Sequence, residues 1–147
     1  MIINTKHFGY VKIPREEIIT LPRGLFAFED IKEYVILGRK NSDNPFMWFQ
    51  AVQNPDVCFV VIDPLTFRKD YSPPIDQTVL ETLEVEDEAD IRFLAIVVIP
   101  DDTAKMAANL KAPIVINAKK NIAMQVILDT DEYKIKHYIL EEIQKGA

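Results

Sequence analysis

The side chains that could act as nucleophiles, bases or metal ligands are few in this sequence and widely spaced. The two histidines, His7 and His137, lie at opposite ends of the 147-residue chain. A zinc site of the usual kind needs further nitrogen or sulfur ligands, and the chain has one cysteine, Cys58. Cys58 lies in the apolar run "VCFVVI", where we expect a buried thiol with a raised pKa. We therefore predict neither a metal site nor a catalytic cysteine.

The motifs that bind phosphate groups or activate serine are also missing. With four glycines in all, no phosphate loop or dinucleotide fingerprint can be assembled. The two serines, Ser42 and Ser72, lie in polar or proline-flanked segments and not in a strand-to-helix elbow. We expect no serine triad and no cofactor.

The carboxylates form clusters, and the densest places six acidic side chains within residues 81–90. None of the clusters has the alternating spacing and central glycine of a calcium loop. A catalytic carboxylate pair needs one member in a desolvated pocket, whereas these groups lie among other polar residues. We interpret the clusters as solvated turns, and the 81–90 run also as a surface suited to steer a basic protein partner.

The composition limits the kind of protein that can position these groups. A chain of 147 residues with 48% hydrophobic content is long enough for one domain, residues 1–147, in which 141–147 could form a flexible tail. The formal net charge of −6 disfavours attraction to phosphate backbones, so we expect no direct contact with nucleic acid. Because neither a membrane span nor a signal peptide is recognisable, the sequence predicts a cytoplasmic protein without membrane contact.

Short apolar runs rich in valine, isoleucine and phenylalanine, bounded by turn residues, predict a mainly β fold. The runs "VCFVVI" and "IRFLAIVVI" are apolar on both alternating faces, which is typical of central strands covered on both sides. We predict a small single-domain β-barrel-like or two-layer β structure with one or two short helices. The expected strands are 2–4, 7–13, 18–21, 34–37, 46–52, 57–62, 91–99, 114–117, 122–128 and 133–140.

Two helical segments are expected between these strands. Ser72 offers a cap and Pro73 suits a first turn, and the apolar side chains that follow have helical spacing and should face the core. A shorter helical turn is expected within residues 103–110.

The stretch "NLKAPIVINAKKNIAMQVIL", residues 109–128, predicts a hairpin. Pro113 marks the start of its first strand, Asn109 should cap or end a helical turn, and Asn117 and Asn121 should shape the turn, with Asn121 tolerating left-handed geometry. If either strand lies at a sheet edge, a partner could add a strand there, which makes Asn117 at the rim a candidate contact.

Five blocks, in order and together covering most of the chain, are similar to the family of bacterial flagellar assembly factors called FliW. They are "LPRGLFAFED" (21–30), "NPFMWFQAV" (44–52), "CFVVIDPLTFRKDY" (58–71), "LAIVVIPDD" (94–102) and "NLKAPIVINAKKNIAMQVIL" (109–128). The glycine-proline-glycine loop common in the first block of the family appears here without its second proline and glycine.

This resemblance implies a β-barrel-like protein without enzymatic activity that exchanges between protein partners. In this scheme flagellin binds the factor in the cytosol, and the factor freed by flagellin secretion binds the regulator CsrA and relieves repression of flagellin translation. The antagonism is expected to act away from the RNA surface of CsrA, so the acidic run is not assigned as an RNA mimic. We expect a monomer when the factor is free.

Large apolar groups in a loop either plug the core or anchor a partner. In "RGLFAFED" we expect Phe26 or Phe28 to be the plug, and we expect Tyr71 to face a partner because its hydroxyl tolerates water. The candidate partner-binding residues are Leu25, Phe26, Phe28, Tyr71, Glu86, Asp87, Glu88 and Asn117.

Two alternatives remain open at this point. The first is a small β-barrel hydrolase or isomerase in which His7, His137 and a carboxylate meet at one mouth of the barrel. The second is a ligand-binding barrel, which would need an empty apolar cavity. The abundance of phenylalanine, isoleucine and leucine favours a filled interior instead.

Overall fold

The computed structural model describes residues 1–38 and 44–145, and this part of the chain is mainly β. Two short helices accompany the strands, α1 (Gln77–Thr82) and α2 (Ile139–Lys145). The strands are β1 (Ile2–Thr5), β2 (Gly9–Lys12), β3 (Ile19–Thr20), β4 (Glu33–Leu37), β5 (Phe46–Ala51), β6 (Cys58–Ile62), β7 (Ile91–Val98), β8 (Ala107–Ala108), β9 (Ile114–Asn117), β10 (Ile122–Gln125) and β11 (His137–Tyr138).

The larger sheet closes on itself. From β7 the pairing runs through β6, β5, β4, β3, β10 and β9, and β9 then pairs with residues 91–94 of β7. Farther along β7, Val97 and Val98 pair with β8, which in turn pairs with β11. All neighbours are antiparallel except β3 and β10, which meet in parallel at Thr20 and Ile122. The predicted barrel-like, mainly β class is confirmed.

Inward-facing side chains fill the interior of this circuit. Tyr34 of β4 stacks on Phe49 of β5 with ring centroids 4.6 Å apart and planes 9° from parallel. Because strand side chains alternate between faces, every second residue contributes to this core. The buried members are Ile19, Leu21, Leu25, Tyr34, Ile36, Phe49, Ala51, Val61, Leu94, Ile114, Ile116 and Ala123.

The outer face of the central strands is also covered. Val61 and Leu94 belong to the interior, whereas their neighbours Ile62 and Ala95 pack in a second cluster outside it. That cluster includes Tyr133 and the first residue of α2. The expectation that β6 and β7 are covered on both sides is therefore confirmed.

The first helix begins later than the sequence pattern predicts. It starts at Gln77 after Asp76, and the segment from Ser72 to Ile75 is irregular. The backbone N–H of Ser72 donates to the Tyr133 hydroxyl at 3.0 Å, so this segment is fixed by a tertiary contact instead of by a helix cap. The apolar stripe does face the core, since Leu83 at the end of α1 packs in a buried cluster.

Two segments near the C-terminus take other structures than expected. The strand predicted over 133–140 is reduced to β11, and α2 follows it at once. The helical turn predicted over 103–110 is a short 3₁₀ turn followed by β8. In both cases the structure is set by pairing with strands from elsewhere in the chain. Local secondary-structure propensity does not encode such pairing.

Residues 141–145 lie in α2, whereas residues 146–147 of the predicted tail lie outside the described residues. Ser42 also lies outside them. Within the described ranges, none of the helices has the length and apolar character needed to cross a membrane.

Two buried tyrosines provide a matched test of this packing. Tyr71 donates its hydroxyl to the backbone carbonyl of Leu110 at 3.0 Å. The Tyr34 hydroxyl is the one buried side-chain polar atom without a hydrogen-bond partner among the described residues. Burial raises the pKa of Tyr34 from 10.0 to about 12, and it also raises the pKa of Tyr71.

We expect Tyr71→Phe to lower the free energy of unfolding by about 1–2 kcal/mol, because it removes a satisfied buried hydrogen bond. Tyr34→Phe should leave that free energy unchanged or raise it.

Both phenols ionise more readily in the unfolded chain, so the free energy of unfolding falls as pH rises above 10.0. Tyr34→Phe should make this decline shallower. Urea unfolding at several pH values measures both effects, and a larger loss for Tyr34→Phe than for Tyr71→Phe would contradict the packing described here.

Candidate partner-binding surfaces

His137 is held on both ring nitrogens. Its Nδ1 lies 2.7 Å from Oε1 of Glu142, and its Nε2 accepts the backbone N–H of Lys134 at 2.7 Å. Because Nε2 is an acceptor, the proton on Nδ1 donates to the carboxylate of α2. The ring therefore fastens α2 to the strand before it and has no nitrogen left to act on a substrate.

His7 has a different environment, at the tip of the β1–β2 hairpin. Its ring lies against Trp48 of β5 with centroids 4.2 Å apart. The two histidines thus pack on different elements. They do not form the hydrolase or isomerase site that was considered for them at one mouth of the barrel. The described residues contain no group of three or more His, Cys, Asp or Glu side chains that could hold a metal ion. Cys58 is half-buried, and burial raises the pKa of its thiol.

An open cleft of about 810 Å³ lies between residues 66–70 and α2. Three of its charged side chains form ion pairs: Nε of Arg68 lies 2.8 Å from Oδ1 of Asp70, and Nη1 of Arg68 lies 3.6 Å from Oε2 of Glu142. The guanidinium also lies over the Tyr133 ring, 5.5 Å from its centroid. This network, like His137, serves to fix α2 on the body of the protein.

Residues 21–31 form a loop, named here the Phe loop, that presents two phenylalanines to solvent. Leu25 is the plug, with 1% of its surface exposed, whereas Phe26 and Phe28 are 47% and 37% exposed. The prediction that Phe26 or Phe28 fills the core is therefore wrong. The backbone N–H of Phe28 donates to the Leu25 carbonyl at 2.8 Å, and Ala27 between them has φ 70°. This is a tight turn with a left-handed third residue, which buries Leu25 and leaves both phenyl rings exposed.

Strand β10 holds the Phe loop in place. The side chain of Gln125 accepts the backbone N–H of Phe26 at 3.0 Å, and Arg23 donates to the Met124 sulfur at 3.7 Å. The Phe28 ring meets the Phe59 ring edge-on, with centroids 5.2 Å apart. The Phe28 ring and the backbone of Phe26 are thus held in place by the body of the protein.

Residues 84–90 form a second exposed segment, named here the acidic loop. Nζ of Lys120 lies 3.3 Å from a carboxylate oxygen of Glu84 and 3.9 Å from one of Glu86. Asp87 accepts the backbone N–H of Ala89 at 2.9 Å and caps a 3₁₀ turn that contains Glu88. Glu86, Asp87 and Glu88 are all exposed, as a steering surface requires.

Asn117 fastens the acidic loop to the β9–β10 hairpin. Only 2% of its surface is exposed, and its Nδ2 donates to the backbone carbonyls of Leu83 and Glu84 at 2.8 and 3.2 Å. Its Oδ1 accepts the N–H of Lys119 at 3.1 Å. Asn117 does shape the turn, as expected, but its side chain cannot serve as the predicted rim contact, because the amide is buried and bonded internally.

Among the described residues β9 has no free edge for strand addition, whereas the outer side of β10 is paired only at Ile122. β9 pairs with both β10 and β7, and β10 pairs with both β9 and β3. The expected turn geometry at Asn121 is confirmed, with φ 53°, and β9 begins directly after Pro113. Asn109 caps no helix, because residues 110–113 are not helical; its Oδ1 instead caps a turn by accepting the N–H groups of Lys111 and Ala112 at 3.1 and 3.0 Å.

Tyr71 is also buried, contrary to the prediction that it faces outward. It is 5% exposed, and besides its bond to the Leu110 carbonyl its ring packs edge-on against Tyr133 and Phe93, at 4.6 and 5.7 Å between centroids. Because the Tyr71 hydroxyl finds a hydrogen-bond partner inside the protein, the side chain can be buried without losing a hydrogen bond to water.

The hairpin therefore carries two candidate surfaces at its two ends. The Phe loop is attached at Met124 and Gln125, and the acidic loop at Asn117 and Lys120. Sequence reasoning missed the anchoring roles of Gln125 and Lys120. The sequence offered only weak signals for these roles. Gln125 is an amide at the end of an apolar strand, and Lys120 is a lysine in a turn of a chain with net negative charge.

Comparison with known proteins agrees with this architecture. The family model described as FliW protein matches residues 2–139. The flagellar assembly factor FliW of Ruminiclostridium cellulolyticum is 44% identical over 145 residues, which cover 99% of this chain and 98% of that protein. The protein of the same name from Thermoanaerobacter pseudethanolicus is 47% identical over 146 residues, 99% and 97% of the two chains. A crystal structure of the flagellar assembly factor FliW matches with a TM-score of 0.87 at 34% identity, covering 95% of this chain and 96% of that one.

The fold and the family match define a non-enzymatic β scaffold that acts with protein partners in flagellar assembly. The chain belongs to the FliW family of flagellar assembly factors.

Two glycines with the same backbone angle test how the Phe loop is held. Gly24 and Gly9 both have φ +64°, but a Cβ on Gly24 would lie 2.6 Å from Glu29 Cα and from the Phe28 carbonyl oxygen, whereas a Cβ on Gly9 meets nothing within 4 Å. Gly9→Ala should lower the free energy of unfolding by about 1 kcal/mol, the left-handed strain alone. Gly24→Ala should cost about 3 kcal/mol or more, because backbone must also move. Urea unfolding of the two variants measures the difference, and equal losses would show that the loop is looser than described.

Proposed function

We propose that this protein binds flagellin in the cytoplasm and, when free of flagellin, binds and antagonises the translational regulator CsrA. Flagellin synthesis would thereby be coupled to flagellin secretion. The observation that carries the proposal is the near full-length similarity to FliW proteins, combined with two exposed segments, the Phe loop and the acidic loop, that are bonded to the same hairpin. Exchange between two partners needs no reactive group, only surfaces that each partner recognises.

The Phe loop has the properties of an anchor. Phe26 and Phe28 are large and partly exposed, and the loop backbone and the Phe28 ring are already held in place, which lowers the conformational entropy lost on binding. Burying such rings mainly slows dissociation. We assign the Phe loop as the contact shared by both partners, which makes their binding exclusive.

The acidic loop has the properties of a steering surface. Its carboxylates are exposed and lie in a chain of net charge −6. Because CsrA is an RNA-binding protein with basic surface, these charges should speed its association more than they strengthen the final complex. The free protein is a monomer in this proposal, so that the whole Phe loop is open to either partner.

Exclusive binding can be tested by size-exclusion chromatography of the purified protein with flagellin and CsrA. We expect two binary complexes and no ternary one, and excess flagellin should displace CsrA. The double variant Phe26→Ala with Phe28→Ala should weaken both complexes by about tenfold or more, because two anchoring rings are lost. Leu65→Ala, at a leucine that is 46% exposed elsewhere, is the control and should leave both unchanged. A stable ternary complex would refute the exchange scheme.

The steering role is tested separately by association kinetics. Reversing Glu86, Asp87 and Glu88 to lysine should slow CsrA association about tenfold at low salt, and the difference should shrink as salt screens the charges. Reversing Asp129, Asp131 and Glu132, which are also exposed, changes the net charge equally and is the matched control. Equal rates for the two triple variants would remove the acidic loop from the proposal.

A further inference from the structure

The C-terminal end of β10 has an open strand edge on its outer side. On the inner side the ladder continues past the strand, since the N–H of Val126 donates to the Pro113 carbonyl at 3.0 Å and Leu128 makes the next such bond. Bonded positions alternate along an antiparallel ladder, so the N–H and C=O groups of Gln125 and Ile127 point outward. Among the described residues, no hydrogen bond is made to these outward groups.

Pro22 explains why the ladder between β3 and β10 stops short of this edge. The N–H of Thr20 donates to the Asn121 carbonyl at 2.9 Å, and Thr20 lies opposite Ile122 in parallel register. In a parallel ladder the next donor on the same strand is two residues further on, and Pro22 at that position has no N–H. The chain then leaves the sheet as the Phe loop, and the backbone groups of β10 from Gln125 onward are left without a neighbouring strand.

One face of this open edge borders the Phe loop. Gln125 and Ile127 lie two residues apart in an extended segment, so their side chains share a face. The Gln125 side chain accepts the N–H of Phe26 at 3.0 Å, which places the loop backbone beside that face. Ile127 is 63% exposed and Phe26 is 47% exposed. The open edge thus combines free backbone groups with uncovered apolar side chains.

We propose that the outward N–H and C=O groups of Gln125 and Ile127 bind an extended segment of a protein partner that also contacts the Phe loop. The segment adds a strand to β10. Its side chains opposite Gln125 and Ile127 lie on the same face as these residues, so alternate residues of the segment are apolar and cover Ile127 and the Phe26 ring. The proposal rests on the function proposed above in one respect, the use of the Phe loop as a contact.

A second copy of the chain fits this edge poorly. Two copies each carry a net charge of −6, and the exposed carboxylates of Glu29 and Asp30 belong to the Phe loop beside the edge. Pairing two such edges would bring like charges together. The same charges favour a segment that has no carboxylates.

The edge can be tested by hydrogen exchange of the full chain labelled with ¹⁵N. In the free protein we expect the amides of Gln125 and Ile127 to exchange at least about tenfold faster than those of Val126 and Leu128, which are hydrogen-bonded. A blocked peptide of sequence KVTVTVK, whose valines share one face, should slow exchange at Gln125 and Ile127 about tenfold and leave Val126 and Leu128 nearly unchanged.

Peptides with blocked backbone donors identify the kind of contact. One control peptide carries N-methyl groups on its valines and the other on its threonines, so each lacks the donors along one edge. At least one of the two should bind about tenfold more weakly, since backbone hydrogen bonds to β10 are lost.

A pair of variants tests the edge in the complexes. Ile127→Pro removes the outward N–H, and a proline is tolerated at a strand edge when its missing donor faces outward. This variant should weaken peptide binding, and at least one of the complexes with flagellin and CsrA, by about tenfold. Ile127→Val keeps the donor and an apolar side chain and should change binding less than twofold. The amide spectrum of each variant shows whether the fold is retained.

Four results would overturn the proposal: slow exchange at Gln125 and Ile127 in the free protein that persists on dilution, the same protection lost on dilution, which would assign the edge to a second copy, full binding of both methylated peptides, and full binding of peptide and partners by Ile127→Pro. Normal complexes with Ile127→Pro would leave the proposed function intact. If the unaltered chain formed no complex, the proposed function would fail, and the peptide measurements would still decide whether the edge binds a strand.

Discussion

The pairing of β9 with β7 is the interaction on which the rest of this structure depends. Four residue pairs, from Ile91 with Asn117 to Leu94 with Ile114, join the last long hairpin to the middle of the sheet. Without them β7 and β9 would each have an open edge, with backbone groups that burial would leave unpaired. Closure satisfies these groups and fixes the position of the hairpin. It also fixes everything attached to the hairpin.

This closure explains how a chain with so few reactive side chains obtains specific surfaces. Met124 and Gln125 hold the Phe loop, while Asn117 and Lys120 hold the acidic loop. Each attachment uses one or two polar bonds to a rigid strand. The backbone that carries the exposed phenylalanines and carboxylates is therefore held in place although it lies in irregular segments.

The polar groups that look most reactive in the sequence have structural tasks. The Glu142 carboxylate binds both the His137 ring nitrogen and the Arg68 guanidinium. These contacts hold α2 against the outer hydrophobic cluster. Asn117 and Gln50, both buried, bond to backbone groups of neighbouring segments. Buried polar groups are tolerable only with such partners, and here their partners are the loops that must be held. These polar side chains therefore hold α2 and the loops in position. That role is consistent with a factor that acts through contacts with other proteins.

The sequence by itself determined the features that depend on neighbouring residues. Alternating and two-sided apolar runs indicated the β class and the covered strands β6 and β7, and Asn121 indicated a left-handed turn, because strand periodicity and turn angles are local properties. The resemblance of five ordered blocks indicated the family. Only the tertiary structure decided that Leu25 and not a phenylalanine plugs the interior, that Tyr71 is buried, and that residues 139–145 form a helix. Each of these outcomes depends on contacts with residues far away in the chain, such as the Leu110 carbonyl for Tyr71 and Gln125 for the Phe loop, and no local pattern specifies which distant group will be there.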